Sequence, residues 1–164
     1  MLPRNQSAAL AQPAPRSYAR LRQAHSDDVD ALLALETDAF STDRLSRRSF
    51  QRLVGAGQVV LVAEQDGRVA GYVLVLVRAG SDIGRLYSLA VAADGRGAGL
   101  GSDLLAAAER AAAGRRCRRM RLEVAQSNAA AAHLYRSAGY SEIARLPDYY
   151  QDGSAAVRFE KRLS

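Results

Sequence analysis

The sequence predicts an α/β domain in which a mixed sheet carries helices on both faces. Strand-like apolar runs alternate with runs of helical period from Ser17 onward. A length of 164 residues suits one domain, and no internal repeat divides it. Residues 1–16 are rich in proline, alanine and glutamine without any period, so we expect a loose leader followed by a single domain over residues 17–164.

The first predicted elements are a short strand and two helices. The strand includes Tyr18 and Leu21. The first helix covers residue 27 to about residue 40, because Ser26 is a suitable N-cap and apolar residues follow at helical spacing. After a polar loop, a second helix starts near Ser46 and ends at Gly55.

Three strands are predicted next. Residues 59–63 form a β-branched apolar run, and the Asp66-Gly67 pair after them is a strong signal for a two-residue hairpin turn. Residues 69–77 form the return strand, and residues 83–91 form the third strand. That strand ends at a segment in which every second residue is glycine.

The second half continues the alternation of helices and strands. An alanine-rich helix is predicted over residues 104–113 with Gly114 as its C-cap, and a second one over residues 128–138 is capped by Gly139. Strands are predicted at residues 120–124, 140–146 and 155–162.

Composition excludes several classes of protein. No apolar run approaches the roughly 20 residues of a membrane crossing. The single cysteine, Cys117, excludes an intramolecular disulfide framework and indicates a reducing cytoplasm. The chain has only two histidines as candidate metal ligands of that type, so we expect no metal site. The net charge of +6 favours anionic partners, but the basic cluster at residues 110–121 lacks interleaved aromatics, so nucleic acid is not the expected partner.

Glycines 95, 97, 99 and 101 lie between a predicted strand and a predicted helix. Bare backbone at a helix N-terminus is suited to binding phosphate. A dinucleotide fold is not indicated, because the turn follows several strands and Glu123 lies on a strand instead of following one. A merely flexible loop is the alternative.

The spacing Arg96-x-x-Gly99-x-Gly101 resembles the turn with which the GCN5-related N-acetyltransferases (GNAT) hold the pyrophosphate of coenzyme A. Further motifs resemble the bacterial ribosomal-protein-alanine acetyltransferase (RimI-like) branch: Leu89-Ala90-Val91, Leu122-Glu123-Val124, Ser127-Asn128-Ala129-Ala130, Leu134-Tyr135, Gly139-Tyr140, Tyr149-Tyr150 and Asp152-Gly153. The resemblance implies a mostly antiparallel sheet of about six or seven strands with about four helices. It also implies acetyl-coenzyme A as the cofactor. The cofactor-binding residues it implies are Leu89, Ala90, Val91, Arg96, Gly97, Ala98, Gly99, Leu100, Gly101, Ser102, Asn128 and Tyr135.

By the same resemblance, Glu123 is the catalytic base and Tyr135 the acid that protonates the leaving thiolate. Acetyl transfer to an amine needs both functions, because the attacking amine must lose a proton. The alternative for Glu123 is an ion pair with Arg119 or Arg121, and the alternative for Tyr135 is packing in the core. Asn128 is equally suited to capping a helix.

The implied function is direct transfer of acetyl from acetyl-coenzyme A to an amine in a ternary complex. The expected acceptor is a protein, through its N-terminal α-amine or a lysine. Asp43, Arg44, Tyr149 and Tyr150 are the expected acceptor-binding residues. A small amine and a non-catalytic acyl-coenzyme A sensor are the alternatives. The loop at residues 40–46 departs from the branch, which leaves the acceptor open, and both a monomer and a homodimer are compatible with the sequence.

Overall fold

The computed structural model describes residues 19–41, 43–95 and 99–164. Seven strands form one sheet, and their bounds are β1 Arg20–Gln23, β2 Val59–Gln65, β3 Arg68–Leu76, β4 Ile83–Val91, β5 Arg119–Ala125, β6 Ser141–Leu146 and β7 Ala156–Arg162. Four helices accompany them: α1 Val29–Ala39, α2 Arg47–Gly55, α3 Leu100–Gly114 and α4 Ala129–Ser137. The predicted mixed α/β architecture is confirmed. The expected leader and Tyr18 lie outside the described residues.

The sheet has the order β1-β2-β3-β4-β5-β7-β6, and every neighbouring pair is antiparallel except β4 and β5. The parallel pair is short, because only Ile83, Gly84 and Arg85 of β4 pair with β5. The two strands separate beyond this point. Most of the length of β4 therefore faces a gap on its β5 side.

A β-bulge in β4 accompanies the separation. Leu74 of β3 pairs with Ser88 and Val75 pairs with Leu86, so Tyr87 is the extra residue. Leu86 packs into the core beneath α3 and α4, whereas Ser88 contacts Tyr72 in the core beneath α1 and α2. The bulge thus exchanges the faces of β4 and bends the strand away from β5.

Several predicted turns and caps are confirmed. The hairpin at Asp66 and Gly67 has φ values of 53° and 75°, the left-handed conformation that such turns require. The predicted start of a helix near Ser46 is also confirmed, and the Ser46 hydroxyl caps α2 by accepting a hydrogen bond from the Ser49 N–H at 3.1 Å. Gly139 adopts a φ of 97° directly after Ala138, the C-cap residue of α4.

Two predicted caps are wrong. Ser26 is the first residue of a 3₁₀ turn and is not an N-cap. The capping acceptor at this turn is the Asp28 carboxylate, which accepts a hydrogen bond from the His25 N–H at 2.8 Å. Gly114 is the last residue of α3, and the left-handed residue is Arg116 with a φ of 69°. The N–H of Cys117 then bonds the carbonyl of Ala112 at 3.0 Å, which completes a Schellman motif with a buried residue after the cap.

Within the part of the chain that the structure describes, no helix combines the length and apolar character that a bilayer crossing requires.

Candidate functional site

A cleft of about 690 Å³ opens where β4 and β5 separate. Its walls come from the end of α1 with the loop that follows, from the first half of β4, from the end of β5, and from the loop between β6 and β7. The cleft therefore lies where the neighbouring strands β4 and β5 pair over only three residues of β4. It collects side chains from four segments that are distant in sequence.

Glu123 lies in the wall of the cleft, with 6% of its side chain exposed. Its Oε1 accepts hydrogen bonds from the guanidinium of Arg85 and, at 3.0 Å, from the hydroxyl of Tyr149. Its Oε2 accepts from Nε of Arg158 at 3.0 Å. Oε1 therefore accepts two hydrogen bonds and Oε2 accepts one, so three of the roughly four acceptor positions of a carboxylate are used.

The partner predicted for Glu123 as an alternative is wrong. Arg121 and Arg119 bind Glu160 instead, with N–O distances of 2.7 and 3.5 Å. The register between β5 and β7 explains this, because Arg121 lies opposite Glu160 and Glu123 lies opposite Arg158. Directly opposed side chains on one face of a sheet are the ones that meet.

A second carboxyl group in the cleft wall belongs to Glu36, which is only 2% exposed. Its Oε1 accepts hydrogen bonds from the hydroxyls of Tyr72 and Ser88, and its Oε2 accepts from the Leu45 N–H at 2.7 Å. Burial and the adjacent Glu36 raise the pKa of Tyr72. The network joins α1, the bulged part of β4 and the loop that leads to α2.

Tyr135 is buried on α4 and packs edge-on against Tyr140, with ring centroids 5.6 Å apart, and against Phe159. Burial raises the pKa of its hydroxyl, and Tyr150 raises that pKa further. The phenol therefore keeps its proton over the whole physiological range. It packs as the structural alternative expects, and among the described residues it is not one of those that line the cleft.

The residues expected to bind the cofactor lie around the gap and the start of α3. Arg96, Gly97 and Ala98 lie outside the described residues. Gly99 adopts a φ of 82° directly before α3, and the first hydrogen bond of the helix runs from the Asp103 N–H to the Gly99 carbonyl. The N–H groups of Leu100, Gly101 and Ser102 precede that bond, so they lie at the positive end of the helix dipole, where an anion is stabilised.

Other expected cofactor residues occupy β4 and the start of α4. Leu89 and Val91 are half-buried against the core beneath α3, while Ala90 is buried in the core beneath α1. All three lie beyond the last residue of β4 that pairs with β5. Asn128 caps α4 by accepting the Ala131 N–H at 3.0 Å and also lines the cleft.

Three of the four residues expected to bind the acceptor meet in the cleft. Tyr149 and Tyr150 form an edge-on pair with centroids 5.0 Å apart, and Asp43 accepts a hydrogen bond from the Gln151 N–H at 3.3 Å. Burial raises the pKa of Tyr150 to about 12. Arg44 does not line the cleft, and its guanidinium donates to the Phe40 carbonyl.

Sequence reasoning missed Arg85, Arg158 and Glu36. Arg85 is the one charged residue in the strand β4, which is a sequence signal, whereas Arg158 lies in β7, where four of seven residues are charged. That the two share a partner depends on strand register. Glu36 lies seven residues after Val29 and four after Leu32, on the buried stripe of α1. A carboxyl group on an apolar stripe is a local signal of a buried polar network.

The chain is similar to known acetyltransferases. The profile of the acetyltransferase (GNAT) family matches residues 23–140. An uncharacterised N-acetyltransferase of Methanocaldococcus jannaschii is 35% identical over 143 residues, which are 87% of this chain and 90% of that protein. An N-alpha-acetyltransferase of Sulfurisphaera tokodaii is 30% identical over 148 residues, 84% of this chain and 89% of that protein. The crystal structure of the ribosomal-protein-S18-alanine N-acetyltransferase from Escherichia coli matches with a TM-score of 0.78 and 28% identity, covering 89% of this chain and 94% of that one.

Proposed function

The chain belongs to the acetyltransferase (GNAT) family, and we propose that it transfers acetyl from acetyl-coenzyme A to the N-terminal α-amine of a protein. The family predicted from the glycine-rich turn and its likeness to the ribosomal-protein-alanine branch are confirmed, and the chain is an N-acetyltransferase with the GNAT fold. The identity of the acceptor is our proposal. The cytoplasmic location expected from the sequence is a proposal as well.

One observation carries the choice of a polypeptide acceptor. The cleft is open and adjoins a second groove of about 630 Å³ at Arg85 and Tyr87. A small amine needs only an enclosed pocket, whereas this continuous surface accommodates several residues of an extended chain. The relatives named above as an N-alpha-acetyltransferase and as a ribosomal-protein-alanine N-acetyltransferase support a protein acceptor.

The surroundings of Glu123 favour an α-amine over a lysine. An α-amine has a pKa of about 7.7–8.0 and a lysine amine one of about 10.4, so at about pH 7.5 roughly a third of α-amines but only about one lysine in a thousand is neutral. Because three hydrogen bonds already engage the Glu123 carboxylate, we infer that the site is better suited to an amine that needs little help with deprotonation.

The residues present fit acetyl-coenzyme A, because the gap between β4 and β5 leads towards the N-terminus of α3, an anion-binding end. When bound, the cofactor supplies an acetyl thioester and a thiol leaving group. Glu123 takes the proton that the attacking amine loses, directly or through water. Tyr135 is the proposed donor of the proton that the leaving thiolate takes up.

The test measures acetyl-coenzyme A consumption with three kinds of acceptor: peptides with free N-termini, the same peptides blocked at the N-terminus but carrying a lysine, and small amines. Free N-termini are expected to give the highest kcat/KM. Turnover confined to the blocked peptides would move the acceptor to lysine, and turnover confined to polyamines, amino acids or antibiotics would establish the small-amine alternative. Cofactor binding without turnover on any amine would establish the sensor alternative.

A further inference from the structure

The groove that adjoins the cleft runs between α2 and the ends of β3 and β4. We call it the side groove and define it by Leu45, Arg52, Leu76, Arg78, Ile83 and Tyr87. It shares Arg85 and Tyr87 with the cleft, and 48% of Tyr87 is exposed. A chain that leaves the cleft along β4 therefore enters the side groove next.

Positive charge dominates the side groove. Arg52 and Arg78 are exposed on its walls, Arg85 lies at its junction with the cleft, and no acidic residue lines it. The ion pairs among the described residues involve neither Arg52 nor Arg78. These two guanidinium groups are therefore available to a ligand.

The cleft itself carries acidic side chains. Asp43 and Asp152 line it, and the hydrogen bonds of their carboxylates come from Gln151 and Ser154, which carry no charge. A protonated amine entering the cleft meets these acidic groups, while the residues behind it meet arginines. The charge along the path orients an acceptor whose N-terminus is cationic and whose next segment is anionic.

The length of the path fixes which acceptor residues reach the arginines. Along β4, the cleft and the side groove together run from Ser88 to Ile83, about 17 Å at the usual strand rise of about 3.3 Å per residue. An extended acceptor that starts in the cleft covers the same distance with about six residues. Its first residues occupy the cleft, and its third to sixth residues pass through the side groove.

We propose that the preferred acceptor is a protein N-terminus with acidic residues at about its third to sixth positions, and that Arg52 and Arg78 bind them. This inference rests on the proposed function and specifies its substrate class. The arginines contribute to selection of the acceptor and take no part in the chemistry.

The test compares peptides that share their first two residues and carry glutamate, glutamine or arginine at positions three to six. At low salt, kcat/KM is expected to be about three- to tenfold higher for the glutamate peptide than for the glutamine peptide, the range for a few exposed charge pairs. The preference is expected to shrink at about 1 M salt, where the screening length is about 3 Å.

Variants assign the preference to the side groove. In the double variant Arg52→Gln with Arg78→Gln, the ratio of kcat/KM for the glutamate peptide to kcat/KM for the glutamine peptide is expected to fall to about one. Charge reversal by Arg52→Glu with Arg78→Glu is expected to give the arginine peptide the highest kcat/KM. Arg48→Gln is the matched control, because Arg48 is exposed on the same helix but lines neither the cleft nor the side groove. It is expected to keep the preference of the wild type.

The outcomes separate the two proposals. Equal kcat/KM for the three peptides overturns the acidic preference while the proposed function stands. A preference that survives in the double glutamine variant also overturns the assignment to Arg52 and Arg78. Failure to acetylate any free N-terminus, together with turnover of small amines, overturns the proposed function and this inference with it.

Discussion

Two carboxyl groups share the wall of the cleft and are stabilised in different ways. Glu123 accepts hydrogen bonds from two guanidinium groups and one phenol. Glu36 accepts them only from neutral groups, two hydroxyls and one backbone N–H. Among the described residues, no cationic side chain pairs with Glu36, although it is the more deeply buried of the two.

The two carboxyl groups also differ in whether their hydrogen-bond donors can be solvated by water when the carboxylate is lost. The arginines bound to Glu123 remain partly open to water, with 42% and 27% of their side chains exposed, so they are solvated even without their partner. The donors to Glu36 have no such access, because Tyr72 and Ser88 are buried. The fold is therefore expected to tolerate a substitution at Glu123, whereas Glu36 is suited to holding the loop before α2 in place.

The largest expected effect follows removal of the Glu123 carboxylate. In Glu123→Gln, kcat/KM for a peptide is expected to fall by about 10²–10⁴-fold, the usual contribution of a general base. The free energy of unfolding is expected to change by no more than about 1 kcal/mol, because the partner arginines stay hydrated. Steady-state kinetics and urea unfolding measure the two quantities. A variant with wild-type kinetics would exclude Glu123 as the base.

Tyr135 gives the next largest expected effect. Tyr135→Phe keeps the ring that packs on Tyr140 and removes only the hydroxyl. If that hydroxyl supplies the proton, kcat is expected to fall by roughly 10²-fold, at the low end for general acid catalysis, while the melting temperature stays near that of the wild type. Rapid-mixing kinetics with a saturating acceptor measures the chemical step. An unchanged rate would leave only the packing role.

Removal of the Glu36 carboxylate is expected to act on stability first. Glu36→Gln replaces one acceptor oxygen by an NH₂ group, so the Leu45 N–H or the two hydroxyls lose a partner, at a cost of about 1–3 kcal/mol. The KM for the acceptor is expected to rise more than kcat falls, because the loop beside the cleft loosens. Asp38→Asn is the matched control, an exposed acidic residue on the same helix. Equal stability of the two variants would contradict the structural role of Glu36.

The same two carboxyl groups show how far the sequence alone leads. The bounds of β4 are as predicted, Ile83–Val91, because a run of apolar residues is a local signal. The pairing of Glu123 with Arg158 depends on the register between strands whose residues are 35 positions apart, and no local pattern contains it. The burial of Glu36 could be predicted, since its position on the buried stripe of α1 is periodic. The network of buried hydroxyls around it could not, because that network requires the bulge in β4.

The buried network around Glu36 also predicts how stability depends on alkaline pH, through its donor Tyr72. Its pKa is raised by burial and by Glu36, so between about pH 10 and that higher pKa the unfolded chain has released this proton and the folded chain has not. The stability that this group contributes is complete below about pH 10 and falls by about 1.4 kcal/mol per pH unit above it. Tyr72→Phe is expected to lose stability less steeply between pH 10 and 11 in denaturant titrations. Parallel curves for the two proteins would contradict the raised pKa.

The smallest expected effect concerns the phenol that contacts Glu123. Tyr149 donates to Oε1 of Glu123 at 3.0 Å and accepts from Arg85 at 3.0 Å, and it is 38% exposed. Water replaces an exposed hydroxyl at low cost, so Tyr149→Phe is expected to lower kcat/KM by about two- to fivefold, equivalent to about 0.5–1 kcal/mol. The comparison variant is Tyr150→Phe, since the Tyr150 hydroxyl lines the same cleft but forms no hydrogen bond with Glu123. A loss in Tyr149→Phe as large as that in Glu123→Gln would mean that the phenol, and not the arginine pair, keeps the carboxylate in its working position.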